Sequence, residues 1–375
     1  MNGLSGTSQY ITLVLCGDVM LGRGIDQILP HPSDPRLYES LVTSAAGYVN
    51  LAEAANGPIP KPVDYSYVWG DALSELERVA ADVRIINLET SVTRSEEHAP
   101  KGINYRMSPA NVPCLTEAGI DCCVLANNHV LDWGRVGLME TLEILQKAGI
   151  KSVGAGENAA QASAPSTLTV AGKGRVIVVA FGSTTSGIPK SWNADDDTPG
   201  VNLLADMSER TVRRICQQIR AVKQPGDITV ASIHWGGNWG YHIAPAQRAF
   251  AHALIERADV DIVHGHSSHH AKAIEVYRDR LILYGCGDFL NDYEGIKGYE
   301  HFRDDLALMY FATIDVSNGH LVRLEMTPLQ IRKFRLNLAT SKDAQWLSRT
   351  LTREGKALGT QVELVAEKTL QLVWQ

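Results

Sequence analysis

No apolar run in this chain of 375 residues approaches the roughly 18 residues that a membrane-spanning helix needs. The start, MNGLSGTSQY, has neither a basic segment nor an apolar signal core, so a cytoplasmic, soluble protein without a membrane segment is expected. There is no Lys/Arg cluster. With 35 basic and 42 acidic side chains the formal charge is -7, and the electrostatic footprint of a nucleic-acid binder is missing. The 6 cysteines, at 16, 114, 122, 123, 216 and 286, show no C-x-x-C spacing. They sit mostly in apolar runs, which favours buried reduced thiols over a disulfide or zinc framework. Internal repeats are also absent. What remains is ordinary globular material, 45% hydrophobic and 21% charged, long enough for one large domain or two.

Apolar segments alternate with helical patterns. Residues 11–16 form a continuous apolar run, as expected for a strand covered on both faces. Further strands are expected at 83–88, 121–126, 227–233 and 261–263, with helices at 71–81, 109–118, 136–149, 209–222 and 245–258. Leu138, Leu142 and Leu145 make one apolar face of the helix at 136–149. Pairs at 167–170/176–181, 272–277/281–285 and 306–316/321–329 read as hairpins, so part of the sheet structure is antiparallel. The expectation is an α/β fold with layered mixed β-sheets flanked by helices. Residues 30–70, rich in Pro, Tyr and Trp, read as an irregular excursion of the kind that forms lids and binding loops. Asp195-Asp196-Asp197 reads as a solvated loop.

Polar groups gather where these strands stop. Asp18 follows the first strand in Gly17-Asp18-Val19-Met20-Leu21-Gly22, and Glu89 follows the second. Asn128 and His129 lie in Leu125-Ala126-Asn127-Asn128-His129-Val130-Leu131-Asp132-Trp133-Gly134, between a strand and a helix. His234 ends another strand, and His264-Gly265-His266-Ser267-Ser268-His269-His270 ends the next. In an open parallel sheet the carboxyl ends of the strands form the ligand crevice, so one shared site is the economical account. Oxygen and imidazole donors without thiolates suit one or two divalent metal ions such as Mn, Fe or Zn. A carboxylate can bridge two such ions, and Asp132 can orient the His129 imidazole.

The ordered motifs GDVMLGRG, NLET, LANNHVLDWG, GAGEN, HWG, GHSSHH followed by IEVYR, and LYGCGDF resemble the CapA family. That family comprises capsule and poly-γ-glutamate biosynthesis proteins with a calcineurin-like metallophosphoesterase architecture. The resemblance covers about residues 11–330. It implies a metallophosphoesterase-fold domain at 1–335, carrying the 30–70 lid insertion; beyond it, residues 336–375, helical at 343–358 and mixed at 362–374, read from the sequence itself as an accessory helical segment. It also implies metal ligation by Asp18, Glu89 in place of a bridging Asp, Asn128, His234, His266 and His269. His129 would donate a proton to the leaving group, with Asp132 as its orienter.

Three departures qualify the resemblance. Met20 stands where a second ligand His is usual, which predicts one weakly held ion. GHSSH replaces GHxH, leaving His269 or His270 for the last ligand and His264 as an outer-shell group. Glu89 is one methylene longer than Asp. The implied activity is metal-dependent hydrolysis or transfer on a phosphoester or γ-glutamyl-type substrate, be it a small molecule, a peptide or polyglutamate. Two alternatives accompany it: metal-dependent peptide epimerisation, and a non-catalytic polymer-binding subunit of capsule assembly.

Overall fold

The computed structural model describes residues 9–375. The first eight residues, which contain most of the stretch read for a signal segment, lie outside the described residues. Strand Tyr10–Val19 is the centre of a ten-stranded mixed sheet. It pairs antiparallel with Leu306–Asp315 on one side and parallel with Val83–Leu88 on the other. Cys122–Val124 and Lys151–Val153 continue the parallel half. A seven-stranded sheet is built on Gly174–Ser183, Ile228–His234, Ile262–His266 and Arg280–Leu283, all parallel. The hairpin strands Ser166–Val170 and Ile274–Tyr277 add its antiparallel members.

The two sheets are glued by side chains that alternate toward each other. Leu13 and Leu15 of one sheet meet Val178, Val230 and Ile262 of the other in a single buried cluster. Outside the first sheet, Leu138 and Leu145 of helix Gly134–Lys147 pack with Ile25 and Leu88. Outside the second, Ile215 of Glu209–Arg220 and Leu254 of Pro245–Ala258 cover Val179 and Phe181. Each parallel strand is thus apolar on both faces, which explains its unbroken hydrophobic run. The architecture is mixed α/β, with layered sheets flanked by helices. It is consistent with the metallophosphoesterase arrangement.

Two segments differ in detail from the sequence reading. Residues 336–375 are only partly helical: Leu336–Leu338 pairs with Leu321–Ile331, and helix Ser341–Gly355 is followed by the hairpin Thr360–Ala366/Thr369–Trp374. The hairpin joins the edge of the ten-stranded sheet because Thr369–Trp374 pairs with Leu321–Ile331. Its alternation of buried Val362, Leu370 and Leu372 with polar neighbours has the period of strands, not of helices. Within 30–70, helix Ala46–Asn56 interrupts the irregular chain. Trp69 is not a binding-loop residue but a core one: it is buried, and its indole N–H donates to the Cys114 carbonyl at 2.7 Å. The six cysteines are free and buried. Among the described residues no helix is long and apolar enough to cross a membrane.

Candidate metal centre

Parallel register assembles the site. In the seven-stranded sheet Ser232 lies opposite His264 and His234 opposite His266. In the other sheet Asp18 is flanked by Asn87 and by Asp288. This last pairing brings two Gly-Asp dipeptides side by side. A Cβ on Gly17 would stand 1.5 Å from the Gly287 carbonyl oxygen, so only glycine permits the approach.

Asp18, His234 and His266 offer ligand atoms that all lie within 4.8 Å of one another, and all three are buried. Asp18 Oδ1 is 3.9 Å from His234 Nδ1 and 3.8 Å from His266 Nδ1, and the two Nδ1 atoms are 2.7 Å apart. Donors that share one ion at about 2.1 Å each stand about 3 Å apart, so modest movement brings these three to one centre.

Proton positions follow from a short relay. His264 Nε2 lies 2.8 Å from the Cys16 carbonyl oxygen, which only accepts, so Nε2 carries the hydrogen. Burial pushes the His264 pKa down to about 4, leaving the ring neutral and Nδ1 bare. Nδ1 therefore accepts the Ser232 hydroxyl proton at 3.0 Å. Ser232 Oγ in turn accepts from His266 Nε2 at 2.9 Å. With its pKa also driven down, by burial and then by His234, His266 presents a bare Nδ1 lone pair toward Asp18 and His234. This is the tautomer a metal ligand needs.

His234 stands between two groups of donors. Its Nε2 is 2.8 Å from Asn128 Oδ1 and 3.6 Å from Glu89 Oε1. Burial, followed by the charge of Asp288, raises the Asp18 pKa to about 7; the Asn87 amide, donating at 2.7 Å, and the charge of His269 work in the opposite direction. Glu89 is raised well above the carboxylate range by burial and then by Asp18 and Asp288. Three carboxyl groups crowded into a buried space need a compensating cation to be ionised together.

The loop at 127–133 divides its labour. Asn127 is structural: its amide oxygen accepts from the backbone N–H groups of His129 and Val130, and its nitrogen donates to the Leu88 carbonyl. Asn128 faces His234. His129 Nδ1 lies 2.6 Å from Asp132 Oδ2, while its Nε2 is 3.9 Å from Glu89 Oε1. Asp132 also accepts from Lys101 Nζ at 2.7 Å and from the Tyr105 backbone N–H at 2.6 Å. Tyr105 stacks on the imidazole at 3.9 Å. Burial, opposed by Asp132, holds the His129 pKa at about 4, so the neutral ring donates Nδ1–H to Asp132 and shows a free Nε2 to the cavity.

The remaining sequence candidates are placed as follows. His269 lines the same cavity but pairs with Asp288, at 3.0 Å, and with Asn238. Burial would lower its pKa, and Asp288 outweighs that and raises it. His264 sits behind His266, reached through Ser232. His270 is buried away from the cluster, stacked on Phe302 at 4.5 Å. Asp288, Lys101, Ser232 and Asn87 were not singled out from sequence. For Asp288 a signal existed, because Gly-Asp at the end of an apolar run occurs at 17–18 and again at 287–288. Lys101 and Ser232 carry no local signal, since only the fold brings them to the histidines.

Glu89, Asn128, His129, Ser267 and His269 open onto one cavity of about 480 Å3, which Tyr48, Tyr105, Trp239, Tyr293 and Tyr299 also line. A carboxylate, two neutral imidazoles and an adjacent His–Asp pair can hold a borderline divalent cation beside a proton-transfer group.

Comparison with known proteins identifies the family. The chain is 48% identical over 372 residues to the probable polyglutamine synthesis accessory protein of Mycobacterium tuberculosis, covering 99% of this chain and 98% of that one. It is 30% identical over 257 residues to the PGA biosynthesis protein CapA of Bacillus subtilis, covering 68% and 63%. To the capsule biosynthesis protein CapA of Bacillus anthracis it is 24% identical over 352 residues, covering 92% and 74%. The model of the bacterial capsule synthesis protein PGA_cap matches residues 12–293, which include most of the first strand and the candidate ligands from Asp18 to Asp288, and the chain therefore belongs to that family.

Proposed function

We propose that this protein is a metal-dependent hydrolase or transferase, acting on a phosphoester or γ-glutamyl-type substrate in capsule or polyglutamate synthesis. The observation that carries the reading is the bare His266 Nδ1 turned toward Asp18 and His234, with His234 Nε2 2.8 Å from Asn128 Oδ1, which lines the cavity together with His129. Asp18, His234 and His266 would hold a divalent cation, with Glu89 and Asn128 beside it. When bound, such a cation polarises a substrate oxygen and lowers the pKa of water. His129 takes or returns a proton at Nε2. Asp132 holds its Nδ1–H, so the ring keeps one tautomer through the cycle, and Tyr105 covers its face. The aromatic wall excludes water from the substrate.

Elemental analysis of the purified protein, joined to a screen of phosphoesters and γ-glutamyl peptides with and without chelator, tests this. Stoichiometric metal and chelator-sensitive turnover are expected. With Met20 in place of a histidine, one tight and one weak equivalent should titrate. A second reading, a polymer-binding subunit without catalysis, is favoured by the name of the mycobacterial relative, a probable polyglutamine synthesis accessory protein. Polyglutamate binding by metal-free protein, with no turnover of any substrate, would decide for it.

A further inference from the structure

The cavity beside the histidine cluster is lined by cations that are already paired and by one carboxylate that is not. On the His129 side its cations are already committed: Lys101 to Asp132 and to the Asn128 carbonyl, and Arg23 to Glu39 and Asp292. Neither is free to receive a substrate anion. Asp304 lines the same cavity, half-buried, with no ion pair among the described residues. Its neighbour Arg303 is spent on Asp305 and Asp343. Burial, then the charges of Asp288 and Asp305, push the Asp304 carboxyl above its ordinary pKa, so its surroundings undercompensate it. Trp239 and Tyr299, stacked at 3.9 Å, and Tyr293 line the same wall. Apolar ring surface lowers the local dielectric, which strengthens any charge pairing made against it.

We propose that Asp304 and this aromatic wall bind a primary ammonium group of the substrate, so that the site selects amine-bearing molecules such as a free γ-glutamyl chain end over plain phosphoesters. An ammonium brings three donors and the missing positive charge to the carboxylate, and aromatic rings tolerate it well. A cavity of this size takes a small ligand or a chain end. The inference rests on the hydrolase or transferase reading, but binding tests it independently of turnover.

The experiment compares a γ-glutamyl tripeptide with its N-acetylated form, by calorimetry and by turnover, in the metal-loaded wild type and in Asp304→Asn. The free amine should bind about 10- to 100-fold more tightly in the wild type, the range for hydrogen bonds to a charged group, and Asp304→Asn should collapse that ratio toward one. Equal affinity of the two forms in the wild type overturns the inference, as does no binding of either or a ratio that survives in Asp304→Asn. Turnover without amine preference sinks this inference alone. Amine preference without turnover sinks the catalytic reading alone.

Discussion

His234 and His266 meet through their Nδ1 atoms at 2.7 Å, and Ser232, one pleat behind, determines that the His266 atom is a bare lone pair. The relay runs from the Cys16 carbonyl in one sheet through His264 and Ser232 to His266 in the other. The packing of the two sheets therefore sets the protonation of the site.

Ser232→Ala removes the acceptor for His266 Nε2–H and frees the ring to change tautomer. Metal affinity should fall about 10- to 100-fold, the usual cost of losing a partner that orients a ligand. Far-UV circular dichroism should be unchanged. Titration of apo protein checks it, and unaltered affinity would show that the relay does not set the tautomer.

His129→Ala should lower turnover by about 10² to 10⁴, the range for general acid–base help, with metal content intact. Loss of the metal in the purified variant would make His129 a ligand instead.

Stability of the metal-free protein should decline with acid. Burial holds His129, His264 and His270 at about 4 in the folded state, against 6.5 for an unperturbed histidine. The unfolded chain thus binds more protons in that window, so stability is fully present above pH 6.5 and is lost as pH falls toward 4. Each ring contributes on the order of 3 kcal/mol to the loss, at about 1.4 kcal/mol per unit. Denaturant midpoints at pH 7 and pH 5 measure the slope. The raised carboxyls of Asp18 and Glu89 act in the opposite direction, so equal midpoints would mean that they match the contribution of the rings.

Gly17→Ala puts a methyl group into the Gly287 carbonyl. The strands must part, at a cost of about 3 kcal/mol or more, because backbone cannot yield as a side chain does. Metal affinity should fall along with thermal stability, since Asp18 and Asp288 ride on those strands. A variant as stable as the wild type would contradict the close approach.

Much of this protein could be read directly from residue order. The apolar runs, their alternation with helical patterns, and the acidic or imidazole residues that end five strands are local features, and local chemistry decides them. The 127–133 loop was legible in the same way, although the sequence could not separate structural Asn127 from Asn128, which faces His234. The hairpin at 360–374 reads only as a mixed segment, because its alternation is short and its partner strand lies far away in sequence.

Tertiary structure decided the rest. Strand register placed Ser232 beside His264 and Asp18 beside Asp288, and the close approach of Gly17 and Gly287 made the second pairing possible. The fold turned His269 toward Asp288, sent His270 under Phe302, and carried Lys101 to Asp132. A residue's type and its position at a strand end are properties of a few neighbours in the chain. Which way a ring points, and which nitrogen keeps its proton, depend on partners tens to hundreds of residues distant, and only the packing of two sheets brings those partners within hydrogen-bond reach.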